Sequence, residues 1–186
     1  MKQIAVFASG EGTNTQHLIN YFKGSNIAIA VIVCNNSRAA VLEKAKKEGI
    51  PSLLIDKSTF YSGNSVLARL QDIKTDLIVC AGFLWKIPDN ILHAFPNKIV
   101  NIHPALLPKF GGKGMYGMHV HKAVIEAGET ESGITIHYLN EHYDEGKIIL
   151  QKKCEVQNGD TAEMLAQKVH ALEHEWYAGT IQGLLK

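Results

Sequence analysis

Apolar residues in the first half of the chain come in short unbroken runs, separated by stretches with the spacing of one-sided helices. Residues 4–8, 27–34, 52–55 and 77–81 read as strands, and their lack of alternation suits strands covered on both faces. Residues 13–22, 38–48 and 66–73 read as helices between them. Strands alternating with helices imply parallel pairing through right-handed crossovers. The second half breaks this rhythm. Residues 99–102 form a strand ending at His103-Pro104, and a loop with Gly111, Gly112, Gly114 and Gly117 follows. A helix over 120–127, strands over 132–139 and 147–153, and a final helix over 161–181 with Asp160 as its N-cap complete the pattern. The fold predicted is α/β: a single-domain Rossmann-like, mostly parallel twisted sheet with helices on both faces and an antiparallel strand in the C-terminal half.

Composition narrows what such a domain can do. Of 186 residues, 46% are hydrophobic and 20% charged, an ordinary globular balance. A net charge of +1 leaves no basic excess for nucleic acid, so no nucleic-acid partner is expected. The longest apolar run, 27–34, is far shorter than the roughly 18 residues that suggest a membrane span, so no membrane partner is expected. The apolar stretch after Met1 gives way at once to a polar segment, which is not an export signal, and the cytoplasm is the expected compartment. The three cysteines, Cys34, Cys80 and Cys154, are odd in number and far apart, and read as reduced core residues. Monomer and homodimer are both compatible with the sequence.

Gly10-Glu11-Gly12-Thr13-Asn14 lies between the first strand and the first helix. Glycine there allows a tight turn and close approach of a ligand, and a helix start favours an anion, most simply a phosphate. A dinucleotide site would place a third glycine at Thr15 and an acid after the second strand, where Cys34-Asn35-Asn36 stands. Both features are missing, so a phosphate monoester is the better match, with a purely structural turn as the alternative.

Asn101 and His103 end the strand over 99–102, where open α/β sheets place ligand sites. Residues two apart in an extended segment project to one face, and Pro104 biases His103 towards that conformation. An amide beside an imidazole suits stabilisation of an oxyanion. Alone, an Asn-x-His would more readily be a hydrogen-bonded turn.

The longer string Asn101-Ile102-His103-Pro104-Ala105-Leu106-Leu107-Pro108-Lys109-Phe110 resembles the signature of the folate-dependent formyltransferases. The resemblance is closest to the members that act on glycinamide ribonucleotide. It extends to the opening Ser9-Gly10-Glu11-Gly12-Thr13-Asn14, Ala81-Gly82-Phe83, Gly133-Ile134-Thr135-Ile136-His137, Asp144-Glu145-Gly146-Lys147-Ile148-Ile149-Leu150-Gln151 and Glu173-His174. It implies formyl transfer from 10-formyltetrahydrofolate, as co-substrate and without a metal, to the amine of glycinamide ribonucleotide in purine biosynthesis. In the family an asparagine, a histidine and an aspartate are catalytic, matching Asn101, His103 and Asp144. Asn101 and a protonated His103 would hold the oxyanion, with Asp144 raising the His103 pKa. The resemblance puts the substrate phosphate on Gly12, Thr13 and Asn14, and Glu173 near the ribose or glycinamide. It puts the folate against Leu84, Trp85, Lys86 and Ile87, Asn101, and the loop with Asn140 and Glu141. One formyltransferase domain thus covers 1–186, with residues 1–100 as its phosphate-binding half and 101–186 as its catalytic and folate-binding half.

Some positions depart from the family. Trp85-Lys86 stands where many relatives have an arginine, and another arginine for the folate tail is absent near residues 61–64. The loop over 111–119 is longer and richer in glycine than in several relatives, and reads equally as a lid or as a passive surface loop. The related hydrolases carry a second histidine where Pro104 stands, yet hydrolysis of the formyl donor, or transfer to another small amine, is the alternative reading. A non-catalytic nucleotide-binding module using only the Gly12 loop is a third. His170-Ala171-Leu172-Glu173-His174 matches an inverted zinc-protease pattern, but too few residues follow for a third ligand. His119-Val120-His121 reads as a solvated junction between loop and helix.

Overall fold

Strands form where the apolar runs lie. In the computed structural model, which describes residues 1–186, seven strands hydrogen-bond in the order β3-β2-β1-β4-β5-β6-β7. The chain divides into two compact units, Met1–Val100 with Gln182–Lys186, and Asn101–Ile181.

The first unit holds β1 (Lys2–Ala8), α1 (Thr13–Phe22), β2 (Ile27–Cys34), α2 (Ala40–Lys47), β3 (Ser52–Leu54), α3 (Lys57–Ser62), α4 (Ser65–Asp72), β4 (Leu77–Cys80) and α5 (Asp89–Ala94). β1 lies between two parallel neighbours, pairing Lys2 with Ile27 on one side and Ile4 with Leu77 on the other. Ile4, Val6, Phe7, Ile32, Ile78 and Val79 are fully buried, so these strands are apolar on both faces. Chain connection reverses direction across the β1–β4 pair, and the loops after β1 and β4 leave from neighbouring carboxyl ends. Open α/β sheets bind their ligands at such a switch point.

Two short helices, α3 and α5, escape the periodicity argument because six residues are too few to show a period. The start of α3 is nonetheless written in the sequence. Asp56 accepts the Thr59 backbone N–H at 2.9 Å, and Thr59 Oγ1 approaches the Asp56 N–H at 3.4 Å, a reciprocal cap. Cys34 and Cys80 are buried free thiols, and burial pushes Cys80 up to about 12.

β5 (Ile99–His103) runs from one unit into the other, delivering Asn101, Ile102 and His103 to the second. That unit continues with α6 (Met118–Glu126), the antiparallel pair β6 (Glu131–Tyr138) and β7 (Ile148–Glu155), and most of α7 (Ala162–Leu184). Asp160 is not the cap of α7. Its carboxylate accepts the Gln157 N–H and pairs with Lys168, while Thr161 Oγ1 takes the Met164 N–H at 3.2 Å. The residue one position on is the better cap because its oxygen reaches the third N–H of the first turn.

One hydrogen-bond cluster holds the loop after β5. Thr135 Oγ1 donates to the Ala105 carbonyl at 2.7 Å and accepts the Leu107 N–H at 3.0 Å. Gln151 Nε2 donates both to that hydroxyl and to the Leu107 carbonyl, each at 2.9 Å. Thr135 is fully buried, so these backbone groups have no access to water there. Thr135→Val keeps the shape and strands a buried carbonyl and N–H. We expect it to destabilise the protein by about 2–6 kcal/mol, at roughly 1–3 kcal/mol per unpaired group, measured by urea unfolding.

Candidate active site

The loop after β1 is the one read from the sequence as a phosphate site. Gly12 is the N-cap of α1 with φ 68°, a left-handed conformation. A Cβ added there would come within 2.5 Å of Val41 Cγ2, so both backbone and space demand glycine. α2 supports the loop: the Val41 N–H donates to the Gly10 carbonyl at 3.2 Å, and Lys44 Nζ donates to the Glu11 carbonyl at 2.6 Å. Thr13 is exposed and Asn14 partly so, at the open end of the helix. α1 has no side-chain cap and no acid in its first turn, which leaves its positive end suited to an anion.

The loop after β4 lies beside it. The Ser9 N–H donates to the Gly82 carbonyl at 3.1 Å, and Ser9 Oγ accepts the Leu84 N–H at 2.9 Å. Leu84 is exposed, whereas Ile87 is buried. Trp85 packs 6.1 Å from Tyr61 between ring centroids, tilted 32°, within a cluster that includes Phe60 and Phe83. Tyr61 Oη donates to the Lys86 carbonyl at 3.1 Å. Tyr61, Asn64, Lys86 and Asn90 line an open cleft of about 440 Å³, the size range of small-molecule sites.

In the second unit, Asn101 and His103 reach the same group of side chains, as their spacing predicts. Asn101 Nδ2 donates to His137 Nε2 at 3.3 Å. His137 is fully buried, and its Nδ1–H donates to the Tyr138 carbonyl at 3.0 Å, which fixes the tautomer and leaves Nε2 as the acceptor. Asp144 lies between two imidazoles. Its Oδ1 is 3.6 Å from His137 Nε2, and its Oδ2 is 3.7 Å from His103 Nδ1. Oδ2 also accepts the Gly112 N–H at 2.9 Å, so the glycine-rich loop contributes directly. His103 Nε2–H donates to the Phe110 carbonyl at 2.8 Å.

The electrostatics correct one expectation. Burial drives the His103 pKa down more than Asp144, the Phe110 carbonyl and Glu173 raise it, so the imidazole rests below its ordinary value and is neutral at pH 7. Asp144 behaves oppositely. Burial favours its neutral form, but its two imidazole neighbours, His137 and His103, and the Gly112 N–H together hold its pKa below the ordinary carboxylate value.

Glu173, on α7, is largely buried and accepts a hydrogen bond from His170 Nδ1 at 2.9 Å, which raises the His170 pKa. That pairing joins two of the three residues of the His170-to-His174 pattern. Asn140 and Glu141 are exposed on the loop leading to Asp144. His119 is exposed, but His121 is buried, contrary to the reading of the pair as a solvated junction.

Sequence reasoning overlooked His137 as a member of this group. The alternation along β6 carries the signal: Thr135 and His137 are two apart and share a face, and both are polar in a strand otherwise fit for the core.

The phosphoribosylglycinamide formyltransferase of Bacillus subtilis (strain 168) is 37% identical over 191 residues, covering 100% of this chain and 95% of that protein. The chloroplastic phosphoribosylglycinamide formyltransferase of Vigna unguiculata is 40% identical over 189 residues. That match covers 98% of this chain, which spans 61% of the longer plant protein. The solved structure of glycinamide ribonucleotide transformylase 1 from Geobacillus kaustophilus superimposes with a TM-score of 0.90 at 35% identity, covering 100% of both chains. Residues 2–181 match the formyl transferase family, and with these relatives on nearly the full length the chain belongs to that family.

Proposed function

We propose that this protein transfers the formyl group of 10-formyltetrahydrofolate to the amine of glycinamide ribonucleotide. The observation that carries the reading is the series of close approaches Asn101–His137–Asp144–His103, in a member of the formyl transferase family. Gly12, Thr13 and Asn14 receive the phosphate, and Glu173 receives donors of the ribose or glycinamide. Leu84, Trp85, Lys86, the Ile87 backbone, Asn140 and Glu141 receive the folate.

The amine nitrogen attacks the formyl carbon. The carbonyl π pair moves to oxygen, and the tetrahedral intermediate then expels the folate nitrogen. Overall the amine loses one proton and the folate nitrogen gains one. Asn101 has two amide hydrogens, of which His137 takes one, and the other is free to hold the oxyanion. His103 rests neutral and gains proton affinity as negative charge develops nearby. The imidazolium so formed carries the proton given up by the attacking amine and returns it to the departing folate nitrogen; meanwhile it keeps Asp144 at Nδ1, and its Nε2–H moves from the Phe110 carbonyl to the oxyanion. His137 acts through Asn101 and Asp144, aiming both. Two bound substrates held in register supply much of the remaining rate.

His103→Ala is expected to lower kcat by about 10²–10³-fold, the cost of one oxyanion donor, with the KM for glycinamide ribonucleotide within a few-fold of wild type. Steady-state kinetics with both substrates checks this, and unimpaired turnover would overturn the mechanism.

The pH dependence has a fixed sign. His103 must be neutral to accept a proton, so kcat/KM should fall as pH drops through a value below that of an ordinary histidine. Asp144→Asn removes a charge that holds this pKa up, so the acid limb should move to still lower pH while kcat drops. A pH–rate profile of both proteins decides it; a limb moving upward contradicts the electrostatics.

A further inference from the structure

The first turn of α6 carries His119-Val120-His121, and of these three only His119 is in water. His121 is 6% exposed, and its Nδ1 is buried with no hydrogen-bond partner in the protein. The other buried positions of this helix are Val120 and Val124. A helix face lined with valines would be served better by another apolar residue, because a buried polar atom without a partner destabilises the fold. Polar groups stranded in this way call for an explanation, and a functional role is one.

His121 also lies within electrostatic reach of two site residues. Burial lowers its pKa most, Glu173 raises it and His103 lowers it, so the imidazole is neutral at pH 7. Glu173 in turn acts on His103. His121, Glu173 and His103 therefore form a coupled group on three elements, α6, α7 and β5. A carboxylate and a neutral imidazole nitrogen are both acceptors. Together they fit a molecule that presents several donors, such as vicinal hydroxyls with an amine or amide N–H.

We propose that His121 is a binding residue for the amine acceptor, its Nδ1 accepting a hydrogen bond from a hydroxyl or amide N–H of the substrate that Glu173 also engages. This rests on the reading of Glu173 as a residue for glycinamide ribonucleotide. The stranded nitrogen gains its partner only when the acceptor binds, so its cost falls on the free protein and its benefit on the complex.

Three proteins test this: wild type, His121→Leu and His121→Asn, each in thermal unfolding without substrates and in steady-state kinetics. His121→Leu removes the stranded atom and keeps much of the volume. It should unfold at the same or a higher temperature, raise the KM for glycinamide ribonucleotide about tenfold or more, and leave the KM for 10-formyltetrahydrofolate little changed. His121→Asn places a polar atom near the position of Nδ1 and should stay within a few-fold of the wild-type acceptor KM. Equal acceptor KM values in all three proteins overturn the proposal. So does a leucine variant that fails to fold, or that loses stability while both KM values rise together, since either marks a structural histidine. A wild-type protein with no transfer to glycinamide ribonucleotide removes the functional reading and this inference together. Normal wild-type transfer with an unaffected leucine variant removes the inference alone.

Discussion

The Asp144 carboxylate between two imidazoles is the interaction on which the rest of this site depends. Ionised carboxylates are poorly tolerated away from water, and this one is held by the Gly112 N–H, with an imidazole beside each oxygen. His137 faces one oxygen at 3.6 Å; His103 and the Gly112 N–H, at 3.7 and 2.9 Å, face the other. The imidazoles are fixed in turn by backbone carbonyls, Tyr138 for His137 and Phe110 for His103. Such a network is worth most when fully satisfied, because the low local dielectric strengthens every bond and punishes every omission.

Backbone strain accompanies this arrangement. Asp144 and Phe110 both sit at φ 56°, a region that costs a side-chain-bearing residue about 1–3 kcal/mol. Both conformations are purposeful. One presents the carboxylate, and the other turns a carbonyl towards His103. Surrounding contacts hold the strained residues in place. An added Cβ at Gly146 would run into the Tyr138 carbonyl oxygen, so the backbone behind Asp144 packs directly against β6. The Thr135 and Gln151 bonds do the same for the loop that leads to Phe110.

Much of this was legible in the chain. Unbroken apolar runs gave away the parallel strands, and the change of pattern after residue 130 the antiparallel pair, because burial on two faces leaves no polar alternation. Asn101 and His103 could be placed together from strand geometry alone, and Asp144 from the family resemblance. Three things were hidden. His137 is anonymous in a run of core residues until a sheet partner shows what its face meets. The proton state of His103 depends on how deeply it is buried, and a sequence that displays a nearby acid does not display that depth. His121 looked solvated because a loop precedes it, yet its burial is decided by packing far away in the chain. α3 and α5 were missed for a simpler reason: periodicity needs more than six residues to become visible.

In the proposed mechanism, Asn101, His103 and Asp144 direct a formyl group to an amine and not to water. The most direct test follows the carbon itself. Purified protein is given 10-formyltetrahydrofolate labelled at the formyl carbon together with glycinamide ribonucleotide, and the products are read by mass spectrometry. The account predicts the label on the acceptor, in step with the appearance of tetrahydrofolate. Label recovered instead as free formate, at a rate indifferent to the acceptor, would contradict it.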